Sequence, residues 1–268
     1  MLPQIGIIGM GFVGGAIARG FALYADIKFY DKLPEKSKNS IEEVCQNDFV
    51  FICLPTPMIN KLGGPADLSI IENIFKEISD KKLTHPIYII KSTVPVGTTE
   101  NLSKKYNLKI IHSPEFLTAR NADIDFITPS RIVLGGESEL CNQVKPLFGN
   151  RFPGANILIM TSKESEAAKY ICNAFFATKV LFFNEVFLGL KKYGIDWEKV
   201  MQGVLTDGRI GISHYQVPGH DGSHGVGGFC FPKDLCSLID QIEKNGFDPK
   251  LLKAAWEQNK AIREKIDW

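Results

Sequence analysis

The run Gly9-Met10-Gly11-Phe12-Val13-Gly14 follows an apolar stretch, Gln4–Ile8, and opens a helical one, Phe12–Tyr24. That order limits the start of the chain to a strand, a tight glycine turn and a helix packed back on the strand. Gly9 permits the turn, Gly11 lets a ligand approach backbone, and Gly14 lets helix and strand close up. The helix amides at Phe12 and Val13 then face outward, as a pyrophosphate requires. Asp31 ends the next apolar run 17 residues after Gly14, where a carboxylate accepts hydrogen bonds from both ribose hydroxyls and repels a 2′-phosphate. The expected cofactor is therefore NAD, although Lys32 and Lys36 lie close by.

The alternation continues. Strands are expected at Gln4–Ile8, Ile27–Tyr30, Phe49–Leu54, Ile87–Lys91, Lys109–His112 and Arg131–Gly135. Helices are expected at Phe12–Tyr24, Ser40–Gln46, Ser69–Lys81, Thr98–Tyr106 and Ser138–Phe148. Strands that are apolar throughout belong in a parallel sheet covered on both faces. Beyond about residue 160 strand patterning stops. A long, largely apolar helix is expected from Ser162 to about Lys192, then helices at Trp197–Leu205, Lys233–Asn245 and Pro249–Asp267. Its apolar middle predicts burial on several sides, partly against another subunit. The expected fold is a doubly wound parallel sheet over 1–162, followed by an all-helical domain over 163–268 with a long central helix.

Ligands of such sheets sit beyond the carboxyl ends of the strands. Two strand-end turns are therefore cofactor candidates: Pro55 and Thr56 in Leu54–Pro57, and Ser92 and Thr93 in Lys91–Thr99. Proline and hydroxyl residues also simply end strands. Glu115 follows the fifth strand and is either a general base or a helix-start carboxylate. On the long helix Lys169 and Asn173 are four apart, with Glu166 on the same side. They either donate hydrogen bonds to an oxyanion or form a surface stripe with a snorkelling lysine. Asn184 and Glu185 read as inter-subunit or inter-domain hydrogen-bonding groups.

Six cysteines at irregular spacing in a chain of 268 residues argue against a disulfide framework and for a reducing, cytoplasmic compartment. Cys230 stands apart from the others, after Gly225-Val226-Gly227-Gly228-Phe229 and before Lys233 and Asp234. The glycines admit a ligand, and a nearby ammonium favours the thiolate. The plainer reading is one more core cysteine. The segment Asp207–Phe229 has no period and reads as a functional loop. His214, His220 and His224 within it lack cysteine or carboxylate partners at ligand spacing, so no metal is expected. A net charge of +1 gives no reason to expect nucleic acid as a partner. No apolar run reaches the roughly 20 residues of a membrane helix, and a strand begins at Gln4, so neither a membrane span nor a signal peptide is expected.

The motifs together resemble the nucleotide-sugar 6-dehydrogenases, the UDP-glucose and GDP-mannose dehydrogenase family. The resemblance runs in order through GMGFVG (9–14), LPTP (54–57), KSTVPVGTT (91–99), SPEFL (113–117), KYICNAFFATK (169–179), DGRIG (207–211) and GVGGFCFPKD (225–234). It implies a Rossmann-type NAD-binding domain, a helical domain that forms a homodimer through the long helix, and a four-electron oxidation of a sugar C6 alcohol to the acid. By that resemblance Cys230 is the nucleophile, and Lys169 and Asn173 stabilise the oxyanion. Thr93, Glu115 and Asp234 position or activate water and substrate. Phe116, Leu117 and the loop through Gly227 hold the sugar nucleotide, Arg209 reaches a neighbouring subunit's site, and Lys233 contacts the cofactor.

The chain departs from the family pattern in two places. A third domain, usual in the family, would start near Asn259–Trp268, so its nucleotide contacts are expected to be absent, or replaced by Pro218–His224 or by a partner subunit. A family carboxylate is replaced at Ala119, within Thr118-Ala119-Arg120. The loop Val217–Gly222 resembles UDP-glucose-type members and favours UDP-glucose. A two-electron β-hydroxyacid-type dehydrogenase and an inactive NAD-binding scaffold are the alternative readings.

Overall fold

The computed structural model describes residues 2–117 and 121–268; Thr118, Ala119 and Arg120, with the carboxylate replacement expected there, lie outside the described residues. The chain divides into two compact units, Met1–Thr56 with Asp67–Lys169, and Pro57–Ala66 with Tyr170–Trp268.

The first unit is one seven-stranded sheet of order β2-β1-β3-β4-β5-β6-β7. The strands are β1 (Gln4–Ile8), β2 (Asp26–Tyr30), β3 (Phe49–Ile52), β4 (Ile87–Ile90), β5 (Ile110–His112), β6 (Arg131–Gly135) and β7 (Asn156–Met160). β1 to β5 are parallel, with Ile5 beside both Ile27 and Phe49. Two-residue periodicity sends alternate side chains into two cores. Ile5, Ile7, Phe51, Ile89 and Ile111 meet Phe21 and Phe148 on one face. Ile8, Val50, Ile52, Tyr88 and Ile90 meet Val44 and Phe75 on the other. Covering those faces are α1 (Phe12–Phe21), α2 (Ile41–Val44), α3 (Ser69–Asp80), α4 (Thr98–Tyr106), α5 (Ala122–Ile127) and α6 (Ser138–Arg151). The chain reverses direction across the sheet on either side of β1, and ligands bind beyond the strand ends at such a point.

The structure adds two elements to the sequence reading, α5 and β7. The sheet is also not wholly parallel: β6 runs antiparallel to β5 through His112 and Gly135, and β7 then follows β6 in parallel. β7 is the sheet edge and half exposed, so its pattern lacks the continuous burial that marks the inner strands.

α7 (Ser162–Leu190) runs from the first unit into the second, which also holds α8 (Trp197–Leu205), α9 (Phe231–Lys244) and α10 (Lys250–Ile262). Ala174, Ala177 and Leu181 of α7 pack with Val226, Leu235, Ile239 and Trp256 in one core. With its last turn, α7 spans Ser162–Tyr193 and is long and apolar enough to cross a membrane by length and composition alone, a test that core helices also pass. Its inner face is the packing surface of the second unit. Asn173 and Asn184, both buried there, bond to groups of that unit. Asn184 was expected to bond across subunits or domains. Instead its Oδ1 accepts from the Gly225 amide, and it pairs with His224.

Candidate active site

At the carboxyl end of β1, Gly9 takes φ +96°, a conformation that side-chain-bearing residues rarely adopt. A Cβ on Gly14 would lie 2.0 Å from the Gly9 carbonyl oxygen, so only glycine lets α1 start this close to the turn. Gly11 is the N-cap of α1 and has no side chain to cap it, and no acidic residue occupies the first turn. The leading amides of α1, at Phe12 and Val13, therefore suit an anion. Asp31 follows β2; its Oδ2 accepts from the Met10 amide at 2.7 Å and its Oδ1 from the Leu33 amide at 3.0 Å. Two carboxylate oxygens offer about four acceptor positions, so room remains for two ribose hydroxyls. Turn, helix start and carboxylate fit a dinucleotide.

The next two strand ends are tied to each other. Ser92 Oγ donates to the Leu54 carbonyl at 2.6 Å and accepts from its amide at 3.1 Å. Thr56 Oγ1 donates to the Thr93 carbonyl at 2.9 Å. The structure thus brings Pro55, Thr56, Ser92 and Thr93 together. It also commits the hydroxyl protons of Ser92 and Thr56 to the fold, which leaves backbone groups to meet a ligand.

Beside them, Lys91 is buried and donates to Ser113 Oγ and the Pro114 carbonyl at 3.3 and 3.4 Å. Burial pulls its ammonium down to about 8 from 10.5. His112 is wholly buried, with Nδ1 2.8 Å from Ser165 Oγ and Nε2 3.3 Å from the Ser92 carbonyl. A carbonyl only accepts, so the hydrogen-bond pattern assigns the proton to Nε2. Burial drops the His112 pKa to about 3, with Lys91 and Lys169 adding to the effect.

The early turns of α7 face this edge. Lys169, buried, lies 3.6 Å from Glu115, whose other oxygen accepts from the Leu117 amide. Two cations lie over the Phe116 ring, Lys169 at 5.4 Å and Arg131 at 4.2 Å from its centre. Glu166 turns to α4, where it accepts from the amides of Gly97 and Thr99 at 2.5 and 2.8 Å. Gly97 is the N-cap of α4 and has no side chain, so a residue on another helix caps α4. Burial raises the Glu166 carboxyl above the usual range, against the pull of those amides.

In the second unit Cys230 is the N-cap of α9 and exposed. Desolvation pushes four other thiols up: Cys45 and Cys141 to about 11, Cys53 and Cys236 to about 12. Burial thus favours the thiol over the thiolate form in those four. One turn into α9, Asp234 is buried. Its Oδ2 accepts from Asn173 Nδ2 at 2.6 Å, and its Oδ1 pairs with Lys233 Nζ. Cys230, Lys233, Asp234 and Asn173 thus come together. Lys169 and Asn173, one turn apart on α7, are each held by a carboxylate, Glu115 and Asp234 respectively. Arg209 does not join them; its guanidinium pairs with Asp207 and its side chain is 90% exposed. Gly227 lies in the loop before Cys230, under the Arg263 guanidinium. Among the described residues no three His, Cys, Asp or Glu side chains gather as a metal site.

Sequence reasoning missed Glu166 as a cap, Arg131 on Phe116, and the loop ties from Asn259 and Arg263. Each joins residues far apart in the chain, and a local pattern carries no signal for it. For Glu166 one hint existed: an acid on an apolar helix needs a partner.

A doubly wound sheet with this turn, helix start and carboxylate defines a dinucleotide-binding protein. Family models agree and are more specific. Residues 30–149 match the NAD binding domain, and residues 163–261 the central domain, of the UDP-glucose/GDP-mannose dehydrogenase family. The chain is 36% identical over 251 residues to a UDP-glucose 6-dehydrogenase of Campylobacter jejuni, covering 88% of this chain and 61% of that one. It is 35% identical over 229 residues to a UDP-glucose 6-dehydrogenase of Rickettsia bellii, covering 82% and 50%. A UDP-glucose dehydrogenase structure from Pyrobaculum islandicum superposes with a TM-score of 0.85 at 29% identity, over 97% of this chain and 68% of that one. The chain belongs to the UDP-glucose/GDP-mannose dehydrogenase family, and spans about half to three-fifths of the length of these two curated relatives.

Proposed function

We propose that this protein is an NAD-dependent nucleotide-sugar 6-dehydrogenase that converts UDP-glucose to UDP-glucuronate in four electrons through Cys230. The observation that carries the reading is the cluster at the start of α9: an exposed Cys230 at the N-cap, one turn before a buried Asp234 that holds both Asn173 and Lys233. A two-electron dehydrogenase has no use for that thiol.

NAD, when bound, supplies the acceptor of the two electrons removed in each oxidation. Gly9, Gly11, Phe12, Val13 and Gly14 hold its pyrophosphate by backbone, Asp31 its ribose, and the turns at Pro55–Thr56 and Ser92–Thr93 line its path. Lys233 adds a cationic contact. The C6 alcohol is first oxidised to the aldehyde. The Cys230 sulfur then adds to the aldehyde carbon, and the carbonyl oxygen becomes the hydroxyl of a thiohemiacetal. The second oxidation removes the carbon-bound hydrogen with its electron pair and the hydroxyl proton, leaving a thioester. Water attacks the thioester carbon, the carbon–sulfur bond breaks, and the carboxylate and thiol are released.

Lys169 and Asn173 donate to the oxygen that gains charge in these steps; Glu115 and Asp234 orient those donors. Glu115, with Thr93, also positions and deprotonates the water. The positive end of the α9 dipole favours the sulfur as an anion. Phe116, Leu117 and the loop at Gly227 hold the sugar nucleotide. Arg209, exposed on its loop, serves the site of a second copy. Ile171, Phe175 and Phe182 form an exposed apolar stripe on α7, each at least 60% exposed, which suits a homodimer contact. None of the six cysteines is in a disulfide, as the cytoplasm would keep them.

The test is stoichiometry. UDP-glucose with NAD should yield two NADH per sugar, and Cys230→Ser should make no acid while still binding NAD. One NADH per substrate, unchanged in Cys230→Ser, would favour β-hydroxyacid-type chemistry. NAD binding without turnover of any nucleotide sugar would favour an inactive scaffold.

A further inference from the structure

The loop that leads into Cys230 is held by groups with no part in the chemistry above. The sequence reading carries the last helix to Asp267, but α10 stops at Ile262 and the chain turns back. Arg263, the first residue past it, is an arginine with only 2% of its side chain exposed. Its guanidinium reaches Asp221 at 2.7 Å, Asp267 at 2.9 Å and the His224 carbonyl at 3.4 Å. The other Asp267 oxygen accepts from the Gly228 amide at 3.1 Å. Asn259 brackets Val226, accepting from its amide at 2.8 Å and donating to its carbonyl at 3.1 Å. Asn184 accepts from the Gly225 amide at 3.1 Å. At Gly227 the guanidinium lies where a Cβ would stand, 2.0 Å from that position. The turned-back segment is itself anchored, since Trp268 packs edge-on against Trp256 and donates to the Lys61 carbonyl at 2.8 Å.

A glycine-rich loop left to itself samples many conformations. Here 224, 225, 226 and 228 are each bonded, and 227 is roofed by a cation. Two residues later the chain enters α9 with Cys230 at the N-cap. A buried arginine shared by two carboxylates is costly to desolvate, and removing a partner leaves its charge buried and less compensated.

We propose that Arg263 and Asp267, with Asn259, are positioning residues for Cys230: they fix the 224–228 loop so that the sulfur is delivered to the start of α9. This deepens the reading of Cys230 as nucleophile and rests on it. A loosened loop lets the sulfur leave the helix start, and the anion loses its stabilisation.

The experiment measures the rate of Cys230 alkylation by iodoacetamide at pH 7, read on the Cys230 peptide by mass spectrometry, in the full chain without substrate. Asp267→Ala removes the acceptor for Gly228 and should slow alkylation at least fivefold, with NAD affinity unchanged. Asp267→Asn keeps an oxygen for Gly228 and should recover most of the rate. An Asp267→Ala rate equal to or above the wild-type rate, or no recovery in Asp267→Asn, overturns the proposal. In case Asp267→Ala does not fold, amide exchange in the wild type decides. Gly225, Val226 and Gly228 should exchange at least a hundredfold slower than in the unfolded chain, and unprotected amides overturn the clamp. Alkylation needs no sugar, so a wild type that oxidises no nucleotide sugar refutes the proposed function without touching this result.

Discussion

His112 gives this protein an acid-sensitive group inside its sheet. The imidazole is fully buried and held neutral between the Ser165 hydroxyl and the Ser92 carbonyl. Its pKa is about 3 in the fold, against an ordinary 6.5 in the unfolded chain. Between those values the unfolded chain binds a proton that the folded chain does not. Stability from this group is therefore complete above pH 6.5 and is lost as pH falls, at about 1.4 kcal/mol per pH unit. From pH 6.5 to 5 the loss is roughly 2 kcal/mol, a large part of a typical margin of 5–15 kcal/mol. His112→Gln retains an acceptor for Ser165 and a donor for Ser92 but does not titrate. Urea unfolding of both proteins at pH 7.5, 6 and 5 isolates the effect, because every other group titrates in both. The variant should be about 1 kcal/mol weaker at pH 7.5, overtake the wild type near pH 6, and lead at pH 5. A difference that stays constant across the three pH values would refute a buried neutral histidine.

Lys91 works in the opposite pH range. Its folded pKa of about 8 lies below 10.5, so the wild type should gain stability as pH rises from 8 toward 10.5. Lys91→Met should abolish that gain and raise neutral-pH stability by about 1–3 kcal/mol, read from urea midpoints at pH 7 and 9.5. Glu166→Ala leaves two buried amides at the start of α4 without an acceptor. It should destabilise the first unit by roughly 2–4 kcal/mol, and a loss below about 1 kcal/mol would contradict the cap. Gly14→Ala drives a methyl into the Gly9 carbonyl, so titration calorimetry should show NAD affinity reduced at least tenfold, with Cys230 alkylation unaffected.

The inner sheet was legible because β1, β3, β4 and β5 are buried on both faces, and full burial writes itself as unbroken apolar runs. The glycine turn was legible because its demands are local: a left-handed residue, a missing Cβ and a helix start within six positions. Cys230, Lys233 and Asp234 were legible as a group for the same reason, since they share the first turn of α9. β7 escaped because an edge strand is half exposed and its pattern is diluted. The end of α10 escaped because the residues after Ile262 have helical composition. Tertiary contacts turn them back, among them the bonds of Arg263 to Asp221 and Asp267 and of Trp268 to Lys61.

Local order alone thus specifies the class of fold, the dinucleotide turn and the grouping of Cys230 with Lys233 and Asp234, because each depends on neighbours within a turn or a strand. Packing alone decides the partners: Glu166 with the α4 amides 67 and 69 residues away, Ser165 with His112 across 53, and Asn259 with Val226 across 33. A buried polar group must find a partner, but nothing in its own stretch of chain says which distant segment will bring one.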